Sequence, residues 1–244
     1  MFKSVMEQLA GHAGFDMTAK WRMASLPYTR RLQGLFQHFG ITSVIDVGAN
    51  AGQFRDQMRH EIGFTGPIFS FEPDPVLADG LLQRAADDPA WTIFSMALGA
   101  NAGMMPFNVM RNPVFNSFRT PTSEQVGEYR RGNVVTRTME VPVRTLDGIA
   151  EFFPDLAHTY FKVDTQGFDL EVLKGGCDVV RQVPALQTEV SLRQQYVGGP
   201  SMQASIDAFA KLGFAVADLF LVSTDGDHRA VEFDCVMVRD RQAS

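Results

Sequence analysis

Cysteine is nearly absent from this sequence, with only Cys177 and Cys235 among 244 residues. Neither belongs to a metal-type or redox-type pair, which excludes a thiolate metal centre and suits reduced core cysteines in a cytoplasmic protein. The five histidines show no metal-ligand spacing, so no resident metal is expected. Positive charge is in deficit: 22 Lys and Arg face 28 Asp and Glu, for a net charge of −6. That balance argues against broad nucleic-acid binding, which wants a basic face. No apolar run reaches the roughly 18 residues that span a bilayer. The first residues also carry no signal-peptide core, so stable membrane insertion and secretion are not expected. Repeats and low-complexity segments are missing too.

What remains is an ordinary globular composition, with 45% hydrophobic and 20% charged residues, at a length suited to one large α/β domain. Its organising stretch is Ser43-Val-Ile-Asp-Val-Gly-Ala-Asn-Ala-Gly-Gln-Phe54. Val44, Ile45 and Val47 read as a buried parallel strand, Gly48 and Gly52 bracket a tight turn, and a helix follows from Gln53. A helix N-terminus after a glycine turn offers free N–H groups to a ligand. Asn50 stands where a dinucleotide turn would place its second glycine, and Asp46 puts a carboxylate where a phosphate site avoids one. Both features point to a ligand carrying positive charge, and S-adenosylmethionine has an ammonium and a sulfonium. Glu72 ends a second strand-like run, Ile68-Phe-Ser-Phe71, 24 residues past Gly48. Such a position in α/β sheets holds a ribose hydroxyl pair.

Residues 2–39 read as helical, with Phe2, Val5, Met6 and Leu9 on one face and Leu32, Leu35, Phe36 and Phe39 on another. Residues 1–40 are therefore expected as an N-terminal helical extension, and 41–244 as the main domain. Strands and helices alternate afterwards: a helix from Pro75, a strand Trp91–Met96, a small apolar closure at Ala97-Leu-Gly99, a strand Thr159–Asp164, and a strand Ala185–Val190. Alternation implies right-handed crossovers and a mainly parallel sheet. Thr224-Asp-Gly-Asp227 separates two final runs and signals a hairpin that adds one antiparallel strand. Strand-like runs at 104–110 and 139–144 carry prolines, which keep them off the central ladder. Residues 101–144 are read as an insertion on the ligand side. In it Asn116 and Ser117 sit between Phe115 and Phe118, and its arginines read as a solvated face.

Taken together, the motifs resemble the FkbM-type S-adenosylmethionine-dependent methyltransferases over roughly residues 40–222. They are Asp46 to Phe54, Phe71-Glu-Pro73, Ala97-Leu-Gly99, Val141 to Asp147, Phe161 to Gly167 with Glu171 to Gly175, and Gln187-Thr-Glu189. The resemblance implies a class I, Rossmann-like methyltransferase fold, with a seven-stranded, mostly parallel sheet, its antiparallel strand last in the chain and helices on both faces. It also implies that Asp46, Gly48, Asn50, Gly52 and Glu72 contact the cofactor, and that the reaction is O-methylation, often of sugars or natural products. Ala49, Phe54, Pro73, Met96 and Ala97 complete the expected cofactor set. Gln166 stands where that family often carries Glu, and an amide is neither a base nor a strong metal ligand.

Methyl transfer to an alcohol calls for alignment, exclusion of water and removal of a proton. Asp164 is the first candidate base, because its strand should neighbour that of Asp46, and Glu189 is the second. Lys162 lies on the same strand face as Asp164 and is placed to stabilise its charge or orient the substrate. Asp164 alternatively holds the cofactor's ammonium. The expected partner is a small-molecule or glycan hydroxyl, with oligomer contacts or specificity assigned to the N-terminal segment. Two other classes stay open: a nicotinamide-dependent dehydrogenase, disfavoured by Asp46 and Asn50, and a cofactor-binding module without catalysis.

Overall fold

Short β-branched runs between helices build a sheet buried on both sides. The computed structural model describes residues 26–127 and 129–240. Its strands, in chain order, are β1 (Ser43–Val47), β2 (Ile68–Phe71), β3 (Trp91–Phe94), β4 (Ala97–Leu98), β5 (Gly103–Met110), β6 (Val135–Arg144), β7 (Thr159–Val163), β8 (Ala185–Ser191), β9 (Phe214–Thr224) and β10 (Ala230–Arg239). Seven of them form one sheet in the order β3-β2-β1-β7-β8-β10-β9. The pairings from β3 to β8 are parallel, and β10 runs antiparallel to both β8 and β9. This is the expected class I methyltransferase sheet. The third run is shorter than expected, ending at Phe94, because Ala97-Leu98 leaves the main sheet.

β4, β6 and β5 form a separate three-stranded sheet. Pro106 lies opposite Glu140 there, and Pro142 opposite Met104. Neither proline interrupts the seven-stranded ladder, for want of the donor it would need. The 101–144 segment is thus folded as a sheet arm, with α4 (Tyr129–Gly132) between its two long strands.

The other helices are α1 (Leu26–Phe39), α2 (Gln53–Gln57, continued by a π-turn Met58–Ile62), α3 (Pro75–Ala85), α5 (Asp169–Lys174), α6 (Cys177–Val180) and α7 (Met202–Ala210). Asp74 caps α3 by accepting from the Val76 N–H, and Ser201 caps α7 through Ala204, so both starts are fixed by short polar side chains. Alternation along β1 sends Val44 to one face and Ile45 and Val47 to the other. Val44 meets Leu32, Leu35 and Phe36 of α1 with Phe54, Met58 and Leu81, while Ile45 and Val47 meet Leu146, Val172, Val180 and Phe209. Removing the fully buried Leu32 side chain to Ala would cost roughly 2–5 kcal/mol. The apolar stripe of α1 is part of the core on that face of the sheet. The 2–25 part of the expected N-terminal helices lies outside the described residues. Thr145 accepts from the Gly148 N–H at 3.1 Å ahead of a 3-10 turn, Asp147–Phe152.

Candidate active site

Chain order reverses between β1 and β7, and the cleft opens at their carboxyl ends, as doubly wound sheets predict. It encloses about 720 Å³. Gly48 turns the chain out of β1 with φ +83°, and a Cβ there would stand 1.8 Å from the Asp164 carbonyl oxygen. Only glycine lets the two strand ends approach this closely. Asn50 also takes a left-handed conformation, with φ +49°. Its side chain accepts from the Ala51 N–H at 2.8 Å and donates to the Pro113 carbonyl at 2.8 Å, tying the turn to the sheet arm.

Glu72 closes β2 inside the cleft with both oxygens already engaged. Oε2 accepts from the Asn50 N–H at 2.7 Å and Oε1 from the Asp74 N–H at 2.8 Å. Each oxygen keeps a second lone pair, which a vicinal diol can fill. Burial outweighs these two donors and pushes the Glu72 carboxyl up to about 8.

On the face under α1 and α2, a buried polar row crosses four strands, β3, β2, β1 and β7. Trp91 Nε1 donates to Ser70 Oγ at 3.0 Å, and Ser70 Oγ donates to Asp46 Oδ2 at 3.0 Å. Asp46 Oδ1 lies 3.1 Å from Lys162 Nζ, a contact made through charge rather than an aligned hydrogen bond. Lys162 also donates to the Gly48 carbonyl at 3.1 Å and lies 3.7 Å from Asp164. Burial opposes the ammonium, but Asp46 and Asp164 overcome it and hold the Lys162 pKa above its ordinary value. Lys162 is therefore a fixed cation, unable to accept a proton.

Asp164 follows β7 and faces the cleft with a third of its side chain exposed (33%). Gln166, at φ +53°, donates through Nε2 both to Asp164 Oδ1 (3.0 Å) and to Glu189 Oε2 (2.9 Å), and accepts from the Tyr196 hydroxyl at 2.9 Å. Burial raises the Glu189 pKa, with Glu232 and Asp164 adding to it, and Glu232 itself accepts from the Tyr129 hydroxyl.

The structure brings together Gly48, Ala49, Asn50, Phe54, Glu72, Pro73, Ala97, Lys162 and Asp164 on the cleft wall. Four expected residues stand elsewhere. Asp46 is fully buried behind the wall, its carboxylate engaged by Ser70 and Lys162. Gly52 faces Arg84, Leu81 and Trp91, so its missing side chain serves the packing of α3. Met96 packs against the core cluster that holds Phe71 and Leu98 and does not itself line the cleft. Glu189 does not line the cleft, and its Oε2 accepts from the Gln166 amide. Of the two aromatics that flank Asn116 and Ser117, Phe118 lines the cleft with Asn116, while Phe115 packs with Tyr129 and Tyr196. Tyr28 and Asp234 were missed because no local pattern marks them. Gln187 had one faint signal, its place two residues before Glu189.

The donor set fits S-adenosyl-L-methionine: a glycine turn, a carboxylate with free lone pairs one strand away, and small apolar walls at Ala97 and Leu98. The Methyltransferase FkbM domain model matches residues 46–216. The chain is 28% identical over 155 residues to Methyltransferase sdnD of Sordaria araneosa, covering 54% of this chain and 59% of that protein. Among solved structures, a methyltransferase FkbM from Methylobacillus flagellatus superposes with TM-score 0.50 at 16% identity, over 81% of this chain and 43% of that one. Magnesium protoporphyrin IX methyltransferase from Synechocystis superposes with TM-score 0.48 at 10% identity, over 98% and 97% of the two chains. The chain thus spans less than two thirds of the fungal relative and less than half of the Methylobacillus structure. With the family model running from the end of β1 into β9, this chain belongs to the FkbM methyltransferase domain family.

Proposed function

We propose that this chain transfers the methyl group of S-adenosyl-L-methionine to a hydroxyl of a small molecule, of the sugar or natural-product kind the family resemblance implies. One observation carries the reading. Glu72 and Asp164 enter one cleft from the two strands that flank β1, on either side of the Gly48 turn. When bound, the donor supplies a methyl on a sulfonium, a leaving group that needs no acid. Glu72 holds the ribose diol through its unfilled lone pairs, and the Gly48–Asn50 backbone lies against the donor. Phe54, Leu98 and Phe118 exclude water from the reacting centre. Asp164 takes the acceptor's hydroxyl proton on its exposed carboxylate. Lys162 and Gln166 fix that carboxylate from two sides, so its position does not depend on the substrate.

Calorimetry with S-adenosylhomocysteine and a labelled-methyl screen of hydroxylated acceptors test this. Asp164→Asn should bind S-adenosylhomocysteine and lose transfer by roughly 10²–10⁴-fold, the usual weight of a general base. Binding of NAD in place of S-adenosylhomocysteine would overturn the whole reading. An unchanged rate in Asp164→Asn would remove only the base.

A further inference from the structure

The cleft does not end at the methyl donor. Tyr28, Gln57, Glu61, Lys162, Gln187 and Asp234 line its continuation under α1 and the π-turn. Gln187 and Asp234 belong to β8 and β10, the second and third strands from β1 on the side away from Glu72. At about 4.8 Å per strand they stand roughly 10 and 14 Å from β1. A donor held between Glu72 and the β1–β7 junction leaves this chamber free.

Its walls are unequal in donors and acceptors. The Lys162 ammonium is spent on Gly48 and Asp46. Gln187 Oε1 accepts from the hydroxyls of Tyr28 (2.6 Å) and Tyr160 (3.2 Å), and its amide donates to Asp234. The Glu61 carboxylate accepts from Thr29 Oγ1 at 3.1 Å. The remaining capacity at Tyr28, Glu61 and Asp234 is for accepting hydrogen bonds. Among the described residues, neither Glu61 nor Asp234 has a cation within ion-pair distance, whereas Asp56 at the same rim is paired with Arg55 and Arg84.

We propose that this chamber is the acceptor site, and that it selects a donor-rich ligand, a polyhydroxylated molecule bearing an amine, against acceptors carrying carboxylate or phosphate. The proposal rests on the methyltransferase reading and adds the acceptor's chemistry to it. Burial, with Asp164 nearby, pushes the Asp234 carboxyl up to about 6, against the opposing pull of the Gln187 amide and the Lys162 ammonium.

The test is ligand-observed NMR titration of glucosamine, glucose and glucuronate, each into protein with and without saturating S-adenosylhomocysteine. Glucosamine should bind at least about tenfold tighter than glucuronate, with glucose between, and Asp234→Asn should remove most of that preference. If Asp234→Asn does not fold, Glu61→Gln replaces it, and the wild-type ranking still decides. Glucuronate equal to glucosamine, a preference untouched by the variant, or no binding of any probe to the wild type overturns the proposal. Failure of S-adenosylhomocysteine to bind would instead sink the donor site, and the ranking in ligand-free protein would judge the chamber separately.

Discussion

Gln166 shows what one amide can do among acids. Its Nε2 donates to two carboxylates, and its oxygen accepts from Tyr196. Gln166→Glu would replace that bridge with a third carboxyl between Asp164 and Glu189. We expect a loss of about 2–4 kcal/mol at pH 8, from broken hydrogen bonds to charged groups and like-charge crowding. Crowded carboxyls hold their protons to higher pH when folded than when unfolded, so the penalty should shrink towards pH 5. Gln166→Leu should lose stability with little pH dependence, and denaturant unfolding at pH 5 and 8 compares the two. Glu72 carries a second pH signature. Its folded pKa of about 8 exceeds the ordinary 4.5. The stability it contributes is fully present below 4.5 and is lost as pH rises through 8; Glu72→Gln should flatten that stretch of the stability–pH curve. A diol that donates to the carboxylate favours its charged form. S-adenosylhomocysteine binding near pH 7 should therefore release protons, read as a dependence of calorimetric heat on buffer ionisation enthalpy.

At the scale of elements, the unit that aims the site is β1, its turn and α2 with the π-turn. Five residues of α-helix cannot hold themselves in place, and tertiary ties do it. Asp88, in the loop before β3, binds Arg55 at the end of α2 and Arg59 in the π-turn. Arg59 also donates to the carbonyls of Phe64 (2.8 Å) and Gly66 (2.9 Å). Burial works against the Asp88 charge, but the two guanidiniums hold its carboxyl below the ordinary 3.8. That stability is present above 3.8 and is lost as pH falls through the folded value. Asp88→Ala strips the largely buried Arg59 of its counter-ion and leaves Arg55 with Asp56 alone, and should cost about 2–4 kcal/mol by denaturant unfolding at pH 7. The same variant should weaken S-adenosylhomocysteine binding, because α2 follows the Gly48 turn directly.

For the whole molecule, a ligand that binds only the folded chain stabilises it in proportion to its excess. S-adenosylhomocysteine at 100 times its dissociation constant should add about 2.7 kcal/mol. For a domain of this size that raises the unfolding midpoint by roughly 5–11 °C. NAD should give no shift in the same thermal scan. Much of this architecture was legible in the sequence, because strand and helix periodicity, proline exclusion and glycine turns act over a few residues. The β1–turn–α2 unit, Glu72 at the end of β2, the off-ladder prolines and the last hairpin are all local statements. The side-chain assignments were less so. Asp46 and Glu189 stand near strand ends just as Glu72 does, and sequence spacing cannot tell a carboxylate facing a cleft from one facing a neighbouring strand. Parallel register sets Asp46 beside Lys162, and the left-handed turn at Gln166 screens Glu189. Nor could spacing join Tyr28 to Asp234, 206 residues apart. The amino-acid order by itself determined which segments pair with water and which with each other, hence the sheet and the turn. Only the tertiary structure decided which acids line the cleft, since that depends on strand order and on the partners each charge finds across it.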